Sequence, residues 1–290
     1  MRKFVCVGAL VMAAAGTCSA VVPNTGPDST HSWVGVVGGA SGTAIARRTV
    51  ITAKHVGWTT YTIQGHVYTA TGRINHPSMD IALLTFSENL PGWHRLGTEA
   101  PLGAAISLVG FGHTGTVNAS NTGYNVNTST FGTRRQAPNA VDEFMFIPGY
   151  GPTILSYIAV NGDGVCAVGD SGGGFFAGDR LVGVVSFVFS AEEALPDYGF
   201  ASLNGGVPYF GSGAINLTDP AVRTWVRANM VPSPNNCPAD FDQDGFVTGL
   251  DFDLYVAAFE AGDLDADFDG DGFVTGIDFD LYVGAFEEGC

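Results

Sequence analysis

The sequence predicts a mainly β body followed by a small helical module built from a repeated segment. Three observations predict this division. Strand-length apolar runs separated by Gly-rich turns continue to about residue 230, a segment rich in Pro and Asn follows, and residues 239–262 and 266–289 agree at 20 of 24 positions. Since 46% of the 290 residues are hydrophobic, the chain can bury a large core, which excludes a disordered or fibrous protein.

The net charge of −16 belongs almost entirely to the repeated segment. Residues 237–290 contain 15 of the 28 acidic residues and no Lys, Arg or His, whereas the rest of the chain carries 13 acids and 12 Lys or Arg. Neither part shows the basic stripe that contacts phosphates, so we predict no nucleic-acid partner. A near-neutral body therefore carries an acidic module.

The first twenty residues predict a secretory signal peptide. Arg2 and Lys3 precede an apolar run, and Cys18-Ser19-Ala20 supplies the small residues that a signal peptidase reads. A lipoprotein signal through Cys18 is a weaker alternative because the preceding residues match it poorly. No later segment has eighteen consecutive apolar residues, so we expect a secreted protein, extracellular or in the cell envelope, without a membrane span.

The β body is predicted over residues 21–231 and ends in one helix. Asp219 and Pro220 are typical of a helix start, as N-cap and first-turn residue. Residues 232–236 read as a linker, because two prolines and two asparagines near this point disfavour regular structure. We expect this linker to leave the body and the module, residues 237–290, nearly uncoupled.

Three sequence segments contain the residue types of an acyl-transfer site. Ser171 lies among glycines in Gly169–Gly173, His55 follows an apolar run, and Asp80 begins another. Such a site needs a hydroxyl nucleophile, an imidazole base and a carboxylate that orients the base. All six histidines precede Ser171, which excludes the α/β-hydrolases, whose histidine follows the serine.

The segments around these three residues match the motifs of a known family. They are Thr52-Ala53-Lys54-His55-Val56, Asp80-Ile81-Ala82-Leu83 and Gly169-Asp170-Ser171-Gly172-Gly173. Over roughly residues 32–230 the chain resembles the trypsin-like (chymotrypsin-fold) serine proteases. The resemblance implies two six-stranded antiparallel β-barrels with a C-terminal helix, and a serine endopeptidase acting on protein or peptide substrates. It makes Ser171 the nucleophile, His55 the general base, Asp80 the orienting carboxylate, and the N–H groups of Gly169 and Ser171 the oxyanion hole.

The same resemblance implies an apolar substrate pocket. Val165 takes the position at the pocket base, or Gly164 does if one residue is inserted, and Ser186, Phe187 and Val188 are assigned to the same pocket. Val188 replaces a glycine that normally keeps the pocket mouth open. We therefore expect cleavage after small aliphatic residues and not after Arg or Lys, which require a buried carboxylate.

The resemblance also implies an activation mechanism. In the family a freed amino terminus pairs with the aspartate before the serine, here Asp170. Signal cleavage after Ala20 would expose Val21 for this role. The chain would then become active without a second protease.

The repeated segment contains two predicted calcium loops. In each copy alternate aspartates precede a glycine, the pattern in which carboxylates converge on one hard cation and glycine allows the sharp turn. The predicted ligands are Asp240, Asp242, Asp244, Phe246, Thr248 and Asp251 in the first loop, and Asp267, Asp269, Asp271, Phe273, Thr275 and Asp278 in the second. We expect two Ca²⁺ ions here and no cofactor for catalysis.

A helix with one apolar face is predicted after each loop. One loop with one following helix, repeated twice, resembles the dockerin module, which implies a cohesin-like or surface partner. An acidic solvating tail is the alternative. Cys237 and Cys290 bracket the module, and we predict a disulfide between them. Cys166 is expected to be free, with pairing to one of these two as the alternative.

Together these features predict a secreted serine endopeptidase that is attached through a calcium-dependent module. The alternative is a catalytically silent trypsin-like scaffold that acts as a calcium-dependent binding protein. Reaction with a serine-directed probe distinguishes the two, because only an active site modifies the serine.

Overall fold

The computed structural model describes residues 27–117, 124–157, 163–189, 210–230, 237–241, 246–269 and 272–288. This part of the chain is mainly β, as predicted, with few helices. The predicted signal peptide 1–20 and linker 232–236 lie outside the described residues, as does Val21. No helix among the described residues combines the length and apolarity that crossing a membrane requires.

The first sheet is antiparallel and has seven strands. They are β1 Val34–Val37, β2 Ala40–Ala46, β3 Thr49–Ala53, β4 Thr60–Ile63, β5 His66–Thr69, β6 Gly72–Asn75 and β7 Ile81–Thr85. The spatial order is β5-β4-β1-β2-β3-β7-β6. Strands β2 and β3 are buried along their whole length, so they form the centre of this half of the body.

The two edge strands of the first sheet are consecutive in sequence. Only Ala70 and Thr71 separate β5 from β6. The Ala70 N–H donates to Thr59 O at 2.8 Å on one side, and the Thr71 N–H donates to Thr85 O at 2.7 Å on the other. One bent strand thus joins both edges and closes the sheet on itself.

The second large sheet is closed in the same way. Its strands are β8 Ala105–Gly110, β11 Arg135–Ala140, β12 Glu143–Ile147, β13 Gly151–Tyr157, β14 Gly174–Ala177, β15 Arg180–Phe189 and β16 Gly211–Asn216, in the order β11-β8-β14-β15-β16-β13-β12. A separate hairpin pairs β9 Thr114–Val117 with β10 Tyr124–Asn127. Val141 and Asp142 join the edges, donating to Ala104 O and Leu155 O.

The predicted six strands per sheet are therefore seven in the structure. The difference has a physical reason: the strand that joins the edges bends at two residues in each sheet, and the bend divides it into two ladders. The position of such a bend cannot be predicted from the alternation of apolar residues, because the strand continues on both sides of it.

The body ends with helix α1, Pro220–Asn229. The Asp219 side chain caps it by accepting from the N–H groups of Ala221 and Val222, as the sequence predicts. Val222 and Val226 are fully buried and pack into a core shared with residues of both sheets. The helix thereby holds the end of the body against the sheets.

The module consists of α2 Gly249–Glu260 and α3 Gly276–Glu288, with a short 3₁₀ helix, Leu264–Ala266, between them. Its core centres on Tyr255 and Tyr282, whose rings stack 3.6 Å apart at an angle of 5°. Cys237 is buried in this core. Its predicted disulfide partner, Cys290, lies outside the described residues, so that pairing stays a prediction.

Ion pairs join the module to the body. Asp265 lies within 3.3 Å of Arg180, Arg223 and Arg227, and the guanidinium of Arg95 lies 5.0 Å above the ring of Phe241. This differs from the expectation that the linker leaves the two units nearly uncoupled. That expectation considered the linker composition alone and not the charges on either side of it.

Candidate active site

His55 and Asp80 meet because their strands are neighbours. Strand β3 ends at Ala53 and β7 begins at Ile81, and these two residues are paired in the antiparallel ladder. The chain just beyond one strand therefore faces the chain just before the other. His55 Nδ1 lies 2.7 Å from Asp80 Oδ2, and the His55 backbone N–H donates to Asp80 Oδ1 at 3.0 Å.

Ser171 reaches this pair from the second sheet. It lies in the turn before β14, and its Oγ is 2.9 Å from His55 Nε2. The His55 side chain is 50% exposed and that of Asp80 only 10%. The imidazole is thus accessible from solvent while the carboxylate behind it is shielded. The structure brings together the three side chains that the sequence analysis singled out.

Three hydrogen bonds, two from His55 and one from Ser186, keep Asp80 ionised. Burial by itself raises the pKa of the Asp80 carboxyl, but hydrogen bonds from His55 and from the Ser186 hydroxyl outweigh it and lower the pKa below its usual value. An ionised Asp80 favours the tautomer of His55 with its proton on Nδ1. The Nε2 lone pair then faces Ser171, as an imidazole base requires.

Ser186, one of the predicted pocket residues, contacts Asp80. The residue is 4% exposed, and its hydroxyl donates to Asp80, while its place in the substrate pocket stays a prediction. Strand β15 alternates its side chains between two faces, and a spacing argument does not reveal which face Ser186 occupies.

The backbone turn around Ser171 depends on glycine. Gly169 and Gly172 have positive φ values of 96° and 84°, which glycine adopts without steric cost. A Cβ at Gly172 would lie 2.1 Å from Ser41 O. Within the ranges that the structure describes, the N–H groups of Gly169 and Ser171 donate to no protein acceptor. Both are free to bind a substrate oxygen.

Ser41 is a site residue that the sequence analysis missed. Its N–H donates to Ser171 O at 2.9 Å, its hydroxyl donates to Gly169 O at 2.9 Å, and that hydroxyl accepts from the Phe111 N–H. A strand of the first sheet thus fixes the carbonyl groups of Gly169 and Ser171. The run Ser41-Gly42-Thr43 could have indicated this role, because small polar residues in a fully buried strand must be hydrogen-bonded.

Asp170 is fully buried beneath the same turn. It accepts from the N–H groups of Gly112 and Ala167, both at 2.7 Å. Burial raises the pKa of its carboxyl to about 7, although those bonds and the charge of Arg135 act in the opposite direction. Gly112 is required for this approach, because a Cβ there would lie 2.7 Å from the carboxylate carbon.

Two of the predicted pocket residues, Val165 and Val188, belong to one apolar group. Val165 is fully buried and packs with Ala167, Phe210 and the partly buried Val188. Phe187 contacts Gly213, where a Cβ would lie 2.1 Å from its ring. Sequence spacing did not identify Phe210. Its only indication in the sequence is the pair of adjacent aromatic residues Tyr209-Phe210.

Cys166, next to the pocket residues, is a free buried thiol. Burial raises the pKa of this thiol well above its usual value, and the charge of Asp170 acts in the same direction. A thiol held in its neutral form is a weak nucleophile. Cys166 therefore behaves as a small apolar residue, and it packs in a core cluster with Leu108 and Phe175.

Three carboxylates of the second repeated loop converge. Oxygen atoms of Asp267, Asp269 and Asp278 lie within 4.8 Å of one another. Asp278 is buried, and its Oδ2 accepts from the Thr275 N–H at 2.7 Å, which orients the carboxylate. Asp271 lies outside the described residues.

The first loop repeats this arrangement in part. Asp251 accepts from the Thr248 N–H at 2.8 Å, and Asp240 is buried. Phe246 and Phe273, which were predicted to supply backbone carbonyls, have exposed rings. Asp242 and Asp244 lie outside the described residues.

Comparison with known proteins agrees with the fold. The family model of trypsin matches residues 22–202. A solved structure titled neuropsin, a serine protease expressed in the limbic system of mouse brain, superposes with a TM-score of 0.50 at 15% identity, covering 70% of this chain and 96% of that one. At this identity the likeness concerns the fold alone. No curated protein matches the chain.

Proposed function

Because the chain belongs to the trypsin family, we propose that it is a secreted serine endopeptidase that cleaves peptide bonds through Ser171, His55 and Asp80. One observation carries the proposal: His55 Nε2 lies 2.9 Å from Ser171 Oγ while Nδ1 lies 2.7 Å from Asp80. Both distances are within the range for proton transfer along a hydrogen bond. Secretion is proposed from the signal-like residues 1–20.

Acylation begins with attack of Ser171 Oγ on the scissile carbonyl carbon. His55 Nε2 takes the hydroxyl proton, and Asp80 stabilises the imidazolium that forms. The carbonyl oxygen gains negative charge and accepts from the N–H groups of Gly169 and Ser171. Loss of one such donor typically lowers the rate about 10²–10³-fold.

The tetrahedral intermediate then breaks its C–N bond. His55 returns the proton to the departing amine, and the acyl group stays on Ser171. Water repeats the sequence, with His55 as base, and releases the acid product. Ser41 acts before these steps as a positioning residue, because it fixes the carbonyl groups on both sides of Asp170.

We assign the substrate pocket to Val165, Val188 and Phe210, which pack together, and to Phe187, whose ring packs against Gly213. Apolar walls supply no counter-ion for a substrate Arg or Lys, whose burial without a partner is costly. We therefore expect small aliphatic residues before the scissile bond. The proposed activation pairs the amino group of Val21 with Asp170.

The module is proposed to bind two Ca²⁺ ions and to attach the enzyme to a cohesin-like or surface partner. The three converging carboxylates of Asp267, Asp269 and Asp278 fit the ion, because Ca²⁺ prefers hard oxygen ligands. Bound Ca²⁺ would supply positive charge that offsets repulsion within the acidic loop. Asp240 and Asp251 are proposed for the equivalent site in the first loop.

A fluorophosphonate probe tests the proposed activity. The full chain should be labelled, Ser171→Ala should not, and Ser129→Ala, which removes an exposed serine, should be labelled as the parent is. Circular dichroism confirms that each variant folds. Absence of labelling in the folded parent would favour the alternative of a silent scaffold with a binding role.

A further inference from the structure

One side of the protease body presents a group of arginines to the module. Arg180 begins β15, while Arg223 and Arg227 lie one turn apart on α1. Opposite them lies the connector between the two repeats, Asp263-Leu264-Asp265, which forms the start of the 3₁₀ helix. The other residues of the body, 21–231, carry 13 acids and 7 Lys or Arg, so these three arginines concentrate positive charge in a body that is otherwise acidic.

Asp265 binds all three arginines with both of its oxygens. Oδ1 lies 2.9 Å from Arg227 Nη2 and 3.3 Å from Arg223 Nη2, and Oδ2 lies 3.2 Å from Arg180 Nη1. Arg227 also donates to the carbonyl of Leu264, and Arg180 lies 3.3 Å from Asp263. The guanidinium groups therefore bind both the carboxylates and the backbone of the connector.

Arg223 is the residue that makes this contact more than a surface ion pair. It is only 3% exposed, and its Nη1 donates to Gly97 O. Burial lowers the pKa of its guanidinium, and the neighbouring Arg227 lowers it further. A buried cation without a counter-ion is strongly destabilising. In the part of the chain that the structure describes, Asp265 is the carboxylate that forms an ion pair with it.

The connector lies between the two copies of the repeat and belongs to neither of them. The copies span residues 239–262 and 266–289, and the three residues before the first copy are Asn236-Cys237-Pro238. The calcium pattern therefore does not require Asp263 or Asp265, which have no equivalent there. The carboxylates of Asp263 and Asp265 are therefore not predicted metal ligands.

We propose that Arg180, Arg223 and Arg227 form a carboxylate-binding surface whose ligand is the acidic connector of the chain's own module, and that this contact holds the module in one orientation on the body. Ser186, beside the candidate catalytic residues, lies six residues along β15 from Arg180, or about 20 Å in an extended strand. The contact is therefore remote from Ser171 and leaves it accessible. This proposal is independent of catalysis.

The test uses the full chain with Ser171→Ala, in calcium-containing buffer, so that self-digestion is excluded. Asp265→Ala removes the shared carboxylate. Asp253→Ala is the matched control, because Asp253 is exposed on α2 and makes none of these contacts. Small-angle X-ray scattering measures the radius of gyration, and calorimetry measures whether the two units unfold together.

We expect the Asp265→Ala chain to have a larger radius of gyration than the parent and to unfold in two transitions, while Asp253→Ala behaves as the parent. Arg227→Ala should lower the unfolding temperature in the parent and have little further effect with Asp265→Ala, since both remove the same contact. Unchanged scattering and calorimetry in Asp265→Ala would overturn the proposal. Equal effects of Asp265→Ala and Asp253→Ala would overturn it too, since general charge would then be the cause.

Discussion

Replacement of Gly172 by alanine tests how the turn beside Ser171 is held. Gly172 has a φ of +84°, and a Cβ there would lie 2.1 Å from Ser41 O and 2.2 Å from Thr52 Oγ1. Gly65, in the turn between β4 and β5, has a φ of +80° with no atom within 4 Å of a Cβ. The two glycines thus share a backbone conformation and differ in their surroundings.

The expected free-energy changes follow from this difference. A left-handed backbone costs alanine about 1–2 kcal/mol at either position. Gly172→Ala adds overpacking against Ser41 and Thr52, of about 1–3 kcal/mol. We therefore expect Gly65→Ala to lower the free energy of unfolding by about 1–2 kcal/mol and Gly172→Ala to lower it by about 2–5 kcal/mol.

Urea denaturation followed by tryptophan fluorescence measures both changes, in chains that also carry Ser171→Ala to prevent self-digestion. Gly172→Ala should in addition abolish labelling by the fluorophosphonate probe when Ser171 is present, whereas Gly65→Ala should not. Equal losses of stability in the two variants would refute the reasoning, because the backbone conformation alone would then account for the cost.

Three further predictions concern other parts of the chain. His55→Ala and Ser171→Ala should each lower kcat by orders of magnitude, up to roughly 10⁶-fold, with little further loss in the double variant, because the residues act as a unit; additive losses in peptide hydrolysis would contradict this. Burial raises the pKa of Asp28, but hydrogen bonds from His31 and Thr30 outweigh burial and hold the pKa well below its usual value. The ionised Asp28 carboxylate therefore stabilises the folded chain above a pH of about 4, and this stabilisation is lost as the pH falls further. Asp28→Asn should therefore lower the unfolding temperature at pH 7 and have a diminishing effect towards pH 2, and a constant difference across this range would argue against it. Asp267→Ala should reduce the Ca²⁺ bound per chain from two ions to one in isothermal titration calorimetry, and an unchanged stoichiometry would remove the second loop from the proposed ligands.

The mainly β fold and its C-terminal helix could be predicted because their determinants are local. Apolar runs of strand length and the Asp219-Pro220 start are readable in a few consecutive residues. The grouping of His55, Asp80 and Ser171 could be predicted only through the resemblance to a family, since the three are far apart in sequence. Their geometry follows from one strand pair and one turn.

The features that sequence reasoning missed depend on contacts between distant segments. The hydrogen bonds of Ser41 to the turn around Ser171, the orientation of Ser186 toward Asp80, and the ion pairs of Asp265 each join parts of the chain with no shared periodicity. An acidic residue in an acidic module gives no indication of which cation it meets. Such residues are found only once the fold places their partners.

The stacked Tyr255 and Tyr282 join the two copies of the repeat into one folding unit. They are equivalent residues of the two copies, and their exchange is reciprocal: the Tyr255 hydroxyl donates to Ala266 O, and the Tyr282 hydroxyl donates to Ala239 O. Each copy thus completes the other, as the subunits of a symmetric dimer do. The repeat is a covalently joined pair of half-domains, so ordering one loop should order the other, and the two proposed Ca²⁺ ions should bind with positive cooperativity.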